Sequence, residues 1–369
     1  MCVIGGGVVG AAVTLELARR GVEVMLLEAE EALGLGASGT NSGILHTGFD
    51  SPPGTLETRL ILRSAELREG VLEILGVPML RCGAQVHGSR DDREALRRLA
   101  DGARRNGVEV ELADDRLDVP GETVTDPVRL TLALARAAEG FGATVLRSTR
   151  VERIRCGEEL VLGGPEGEVA GCRAAVNCAG LFADAVAGAA GDDHFRIFPR
   201  KGEFVVFEPG PGGMPIDHVV LPVPTARTKG ILVFPTCDGK ITAGPTARDQ
   251  EDKRDWTVAP SAARELIDEA RRRVPALEGC EPIASYAGLR PAGADGVNYL
   301  IERSRACPRL VHVAAIRSTG LSACLGIAEH VASLLEEAGI VLRVREPLTS
   351  VEVSRLEGPW WSRSARYWT

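Results

Sequence analysis

No stretch of this chain stays apolar long enough to cross a bilayer, which takes roughly 20 consecutive apolar residues. No segment has the charged, apolar and small-residue succession of a secretory signal. These absences argue against a spanning segment, though not against attachment to a membrane surface, and make the cytoplasm the expected location. Surplus positive charge is also missing: 43 Lys and Arg face 51 Asp and Glu, for a net charge of −8. A nucleic acid partner such as DNA or tRNA is therefore disfavoured, because phosphate backbones are bound by surplus cations. A local basic pocket is still compatible with that balance. The nine cysteines (Cys2, Cys82, Cys156, Cys172, Cys178, Cys237, Cys280, Cys307 and Cys324) form no Cys-x-x-Cys pair, and the six histidines show no metal-type spacing. No metal centre is expected, and nine reduced thiols filling core positions is the simplest reading. Internal repeats and low-complexity linkers are absent as well.

What is present is an ordinary globular composition, 44% apolar and 25% charged in 369 residues. That length supports a large core and two closely connected domains. Apolar patterning predicts a very short strand at 2–4, a helix at 9–20 and a buried strand at 22–27. The brevity of the first strand predicts further residues upstream of Met1. Residues 34–50 are rich in glycine and polar side chains without periodicity, and so read as a functional loop. Helices are predicted at 56–75 and 91–105, the second with Leu96, Leu99 and Ala103 on one face. Asp126-Pro127 forms an N-cap and first-turn pair that opens a helix to about Phe141. Strands follow at 143–146, 150–155 and 174–178. From 198 to 246 short β-rich runs alternate with Pro and Gly turns, which predicts an antiparallel sheet. A helix at 261–273, a strand at 310–315 and a helix at 321–337 complete the pattern. The tail from Arg343 is polar and carries Trp360, Trp361 and Trp368.

The N-terminus carries a strong local signal. Gly5-x-Gly7-x-x-Gly10 follows a strand and opens a helix. Gly5 permits the tight turn, Gly7 lets the backbone approach a pyrophosphate, and Gly10 allows helix and strand to pack closely. The helix N-terminus offers free N–H groups and a positive dipole end to phosphates. Glu28 ends the next strand, 18 residues beyond Gly10, where a carboxylate can accept both ribose hydroxyls. A dinucleotide site follows, but the glycines alone do not separate FAD from NAD.

The loop after Glu28 bears on that choice. Gly36-Ala37-Ser38-Gly39-Thr40-Asn41-Ser42-Gly43 runs into Ile44-Leu45-His46-Thr47-Gly48-Phe49-Asp50. Further on come Leu221-Pro222-Val223-Pro224, Thr228-Lys229-Gly230-Ile231, Gly244-Pro245-Thr246-Ala247 followed by Glu251-Asp252-Lys253, Ala287-Gly288-Leu289-Arg290-Pro291 and Ser318-Thr319-Gly320-Leu321-Ser322. From Val3 to about Leu335 this set resembles the glycerol-3-phosphate oxidase and dehydrogenase family of D-amino-acid-oxidase-like flavoproteins. Related L-2-hydroxyglutarate oxidases share the Asn-Ser-Gly-x-x-His core. The resemblance implies FAD as cofactor and an α/β fold: a Rossmann-type, glutathione-reductase-like FAD-binding domain interleaved with an antiparallel-sheet substrate domain. The expected division is 1–74, 125–192 and 300–340 for FAD, 75–124 and 193–299 for substrate, and 341–369 as a tail.

The resemblance also assigns roles. His46 would be the base that takes the hydroxyl proton while a hydride leaves for the flavin. Arg290 would hold the substrate anion, as a guanidinium fork suits carboxylate or phosphate, and Lys229 would add a second positive charge. Gly5, Gly7, Gly10, Glu28, Ser38, Asn41, Ser42, Gly43, Val151, Gly180, Ser318, Gly320, Leu321 and Ser322 would bind the cofactor. Val151 and Gly180 are read as backbone contacts, and the helix after Ser318 as stabilising charge on the reduced flavin. The implied partners are a small anionic substrate and either O2 or a quinone as electron acceptor. Two departures stand out. Thr319 occupies a position where the family usually has Pro, and is expected to cap the helix. The segment between Leu112 and Thr125 is shorter than in the family, which puts substrate specificity in doubt. A 2-hydroxy acid oxidase, an amine oxidase and a flavin subunit of an electron-transfer complex are the competing readings.

Overall fold

The computed structural model describes residues 1–224, 230–353 and 358–362. Its N-terminal strand, Cys2–Ile4, lies inside a six-stranded sheet. The order is Leu300–Arg303, Leu310–Ala314, Ala175–Asn177, Cys2–Ile4, Met25–Leu27 and Thr144–Leu146. All neighbours run parallel except Leu300–Arg303, which is antiparallel to Leu310–Ala314. Val3 pairs with Leu26 on one side and Val176 on the other, and all three are buried. A parallel sheet covered on both faces needs such continuous apolar strands. The second strand starts at Met25 rather than Val22. Its partner offers three residues, so pairing ends there.

Helix Val8–Arg19 packs against Pro127–Gly140 and Gly320–Glu337, and Leu56–Ile74 packs on the last of these. That contact is close, because a Cβ at Gly326 would stand 2.3 Å from the Leu60 carbonyl oxygen. Asp126 caps its helix as expected, with Oδ1 accepting from the amides of Val128 and Arg129 at 2.9 and 2.8 Å. Of the strand expected at 150–155, Arg153–Arg155 pairs with Leu160–Gly164 in a small antiparallel sheet completed by Gly167–Cys172. Residues 149–152 line a cavity instead.

The second large sheet has nine strands. Its centre is the pair Ile197–Glu208 and Glu281–Gly293, antiparallel from Ile197 opposite Gly293 to Glu208 opposite Glu281. The sheet is not purely antiparallel, since Val219–Pro222 runs parallel to Ala84–His87. These strands come from separate excursions of the chain, so no hairpin dictates their direction. Helix Pro260–Arg273 covers one face, with Leu266 and Ala270 against Val205, Phe207 and Ile241. The other face gathers Phe204, Val206, Phe234 and Tyr286 with Ile44, Phe49 and Val124.

Two sequence expectations change here. The tail is not polar throughout: Trp360 is buried with its ring edge-on to Tyr286 at 5.4 Å, and Trp361 Nε1 donates to Asp238 at 3.0 Å. Trp368 lies outside the described residues. The cysteines are not all reduced, because Cys156 and Cys307 form a disulfide across Cα atoms 6.0 Å apart. Folding brings together two turns that no Cys spacing connects. The other seven cysteines are free thiols, and burial pushes Cys324 up to about 12. Among the described residues no helix is long and apolar enough to cross a membrane, and no His, Cys, Asp or Glu cluster could hold a metal.

Trp360→Ala removes a fully enclosed indole. It is expected to destabilise the protein by about 3–5 kcal/mol. Thermal unfolding checks this, and an unchanged midpoint would mean that the tail is not part of the core.

Candidate functional site

The turn after the first strand has almost no spare room. Gly5 has φ +107°, and a Cβ there would lie 2.5 Å from the Cys178 carbonyl oxygen. A Cβ at Gly10 would lie 1.9 Å from the Gly5 carbonyl oxygen, so helix and turn touch backbone to backbone. Gly7 is the N-cap and has no side chain with which to cap the helix. Ser38 Oγ accepts from the Val8 amide at 2.9 Å. The next amides, of Val9 and Gly10, have no helical carbonyl behind them. Glu28 Oε2 accepts from the Gly6 amide at 2.6 Å and Oε1 from Glu30 at 2.8 Å. Burial raises its carboxyl above the ordinary value against these two bonds.

A cavity of about 450 Å³ runs from this turn across the C-terminal ends of the parallel strands. Gly5, Gly7, Glu28, Ser38, Asn41, Val151, Gly180, Gly320 and Leu321 line it. Gly10, Ser42, Gly43, Ser318 and Ser322 stand behind the wall. Gly10 lets the helix approach, and Asn41 Oδ1 accepts from the Gly43 amide at 2.9 Å. Sequence reasoning gave no role to Lys253, Arg254, Trp256 or Arg317, which also line the cavity. Lys253 belongs to a motif that carried the resemblance, whereas Arg317 had no signal. Ala315 and Arg317 have φ of +55° and +54°, and such strained backbone clusters at ligand sites. Glycines where a Cβ would clash, a helix N-terminus and a ribose-type carboxylate along one cleft fit a dinucleotide.

His46 is held in place from several directions. Ile44–Leu45 pairs with Val124 and Thr123, and a Cβ at Gly43 would meet the Thr125 carbonyl oxygen at 2.5 Å. The His46 amide donates to Ser322 Oγ at 2.8 Å, one residue beyond Leu321 on the cavity wall. The buried Arg68 guanidinium donates to the carbonyls of Leu45, His46 and Gly121 at 3.0, 2.9 and 3.1 Å. The His46 ring meets Glu122, Nδ1 to Oε2 at 2.9 Å. Glu122 Oε1 accepts from the Thr47 amide and hydroxyl at 2.6 and 2.9 Å. Burial works to raise the Glu122 carboxyl, but the His46 ring and the Thr47 amide outweigh it and hold the group below its ordinary value. Sequence reasoning missed Glu122 and Arg68. Glu122 falls inside the shortened 112–125 segment, and no spacing rule ties it to position 46.

Arg290 lies on the long strand Glu281–Gly293. Nε donates to Arg200 O at 3.1 Å, and Nη2 to Lys201 O and Thr246 O at 3.0 and 2.7 Å. It makes no ion pair among the described residues. Burial, with Arg200 and Arg317 nearby, lowers it to about 10. Its neighbour Pro291 lines the cavity, and Pro291 O accepts from the Arg317 amide at 3.2 Å. The strand presses on the His46 loop, since a Cβ at Gly288 would come 2.7 Å from Thr40 O. Lys229 lies outside the described residues. Thr319 does not cap its helix by side chain. Its hydroxyl donates to Glu57 Oε1 at 2.7 Å and pairs with the Tyr299 hydroxyl at 2.9 Å. Glu57 Oε2 also accepts from Asn298 and Arg317 at 2.8 and 3.0 Å. A buried carboxylate recruits the threonine away from the helix end, because an unmet buried charge costs more than a lost cap.

Comparison with known proteins agrees with this geometry. The family described as DAO, FAD dependent oxidoreductase, matches residues 1–334. A glycerol 3-phosphate dehydrogenase of Caloramator mitchellensis is 28% identical over 367 residues, covering 94% of this chain and 75% of the relative. The solved structure of dithionite-reduced L-alpha-glycerophosphate oxidase from Mycoplasma pneumoniae with FAD bound superimposes with a TM-score of 0.87. It is 25% identical and covers 95% of this chain and 98% of that one. A mitochondrial L-2-hydroxyglutarate dehydrogenase of Mus musculus is 27% identical over 277 residues, 66% of this chain and 60% of the relative. The glycine turn, the cavity and the matched length lead to one conclusion: this chain belongs to the FAD-dependent oxidoreductase family.

Proposed function

We propose that this enzyme oxidises a small anionic alcohol, with sn-glycerol 3-phosphate as the preferred substrate and dihydroxyacetone phosphate as the product. The observation that carries this reading is Arg290: a half-buried guanidinium with no carboxylate partner among the described residues, beside the dinucleotide cavity. A charge partly withdrawn from water without a counter-ion is costly, and a substrate anion at the remaining Nη1 would compensate it. A phosphate or a carboxylate suits that fork. The names of the relatives favour the phosphate ester and keep L-2-hydroxyglutarate as the second reading. On the same reading, residues 1–74, 125–192 and 300–340 bind FAD, 75–124 and 193–299 shape the substrate side, and Lys229 adds a second cation.

Gly5, Gly7, Glu28, Ser38, Val151 and Gly180 would hold the nucleotide part of FAD, with Gly320 and Leu321 at the flavin end. Bound FAD supplies the acceptor for the hydride that leaves the carbinol carbon. His46 accepts the hydroxyl proton at Nε2: the O–H bond breaks, an N–H bond forms, and the carbonyl closes as the C–H pair departs. Arg290 orients the anion so that the carbinol faces both groups. The electron acceptor for the bound cofactor would be O2 or a quinone.

Anaerobic addition of sn-glycerol 3-phosphate or L-2-hydroxyglutarate tests the reading through the visible flavin band. Bleaching by the phosphate ester alone is the expected outcome, and bleaching by the hydroxy acid alone would overturn the preference. Readmitting air then separates an oxidase from a dehydrogenase. His46→Ala is expected to retain FAD while kcat falls by about 100- to 10,000-fold, and turnover at the native rate would remove His46 from the mechanism. Arg290→Ala is expected to raise KM by about 10- to 100-fold, the loss of a charge-assisted bond. Unchanged saturation kinetics would show that the anion binds elsewhere.

A further inference from the structure

His46 and Glu122 are 76 residues apart in sequence, yet the loop and the turn that carry them are tied together by Arg68 and by the Ile44–Leu45 pairing. Glu122 has no solvent exposure, and the two oxygens of its carboxylate meet three donors or potential donors. We propose that Glu122 is a positioning residue for the base: its carboxylate holds the His46 ring in the form protonated on Nδ1, so that Nε2 keeps its lone pair for the substrate hydroxyl. This rests on the reading of His46 as the base.

An ionised carboxylate accepts hydrogen bonds and donates none. Oε1 is already engaged by the Thr47 amide and hydroxyl, and Oε2 faces the ring nitrogen. The bond therefore forms when Nδ1 carries the proton, which in a neutral imidazole leaves Nε2 bare. Arg68 spends its donors on three backbone carbonyls rather than on the carboxylate. Asp50 and Arg68 are charged groups whose fields also reach Glu122, and the Cys82 thiol feels the charge of Glu122. When Nε2 takes the substrate proton, the imidazolium forms against a buried carboxylate, and opposite charges attract strongly where water is excluded. The same contact thus selects the reactive form of the ring and stabilises its protonated state.

Two measurements test this. In wild-type enzyme labelled with ¹⁵N-histidine, with His46 assigned by its loss in His46→Ala, the neutral ring is expected to be protonated on Nδ1; a neutral ring protonated on Nε2 would overturn the proposal. Glu122→Gln can donate to Nδ1 and so favours the opposite tautomer. It is expected to retain FAD and to change KM by less than about threefold, while kcat drops roughly 100-fold or more. The acid limb of its kcat/KM profile should move to lower pH, because the imidazolium has lost its neighbouring negative charge. A kcat within about threefold of wild type and an unmoved limb would reduce Glu122 to a structural residue. If Glu122→Gln does not fold, the wild-type spectrum decides alone. Full turnover in His46→Ala would instead defeat the reading of His46 as base, while the tautomer measurement would still report on the pairing itself.

Discussion

The carboxylate of Glu122 has no access to water, and a charge in that position is tolerated when its lone pairs are met. Meeting them requires the Thr47 amide, the Thr47 hydroxyl and the His46 ring at once. The loop around His46 and the turn at Gly121 therefore have little independent freedom. Arg68 reinforces this by holding carbonyls from both segments. Through Ser322 the same loop is tied to the helix whose first turn reaches the cavity. Displacing the carboxylate would loosen the ring, the loop and the cavity wall together.

The cavity lies where two different sheets meet. The parallel sheet contributes Gly5, Glu28 and Gly180 just beyond the C-terminal ends of its strands, and the nine-stranded sheet brings the strand of Arg290 alongside. Each side carries an uncompensated feature. On one side are helical N–H groups without acceptors. On the other is a guanidinium whose bonds go to neutral carbonyls. A phosphate-bearing cofactor suits the first and a small anion the second. The net charge of −8 is no obstacle, since local donors rather than overall charge decide what enters.

Legibility in the sequence followed distance along the chain. Gly5, Gly7, Gly10 and Glu28 belong to one strand, turn, helix and strand unit, and their geometry could be read from spacing because each acts on a near neighbour. The Asp126-Pro127 helix start was legible for the same reason. The pairing of His46 with Glu122 joins segments that meet through tertiary packing, and nothing in either segment announces the other. Thr319 looked like a cap because its local context suits one, while Glu57, from a distant helix, claims its hydroxyl. The parallel strand pair, the Cys156–Cys307 bond and the burial of Trp360 likewise depend on where separate excursions of the chain return.

The position of Trp360 bears on how the protein is assembled during synthesis. Its indole fills a seat beside Tyr286 and Phe204, in a sheet whose strands all precede it in the chain. On the ribosome every strand of that sheet emerges before the residue that closes it. The nascent sheet thus waits with an apolar seat open, while the glycine turn and the first strands of the other sheet are already available to pair. Until the tryptophan docks, that seat leaves apolar surface of the kind that makes incompletely packed chains prone to association.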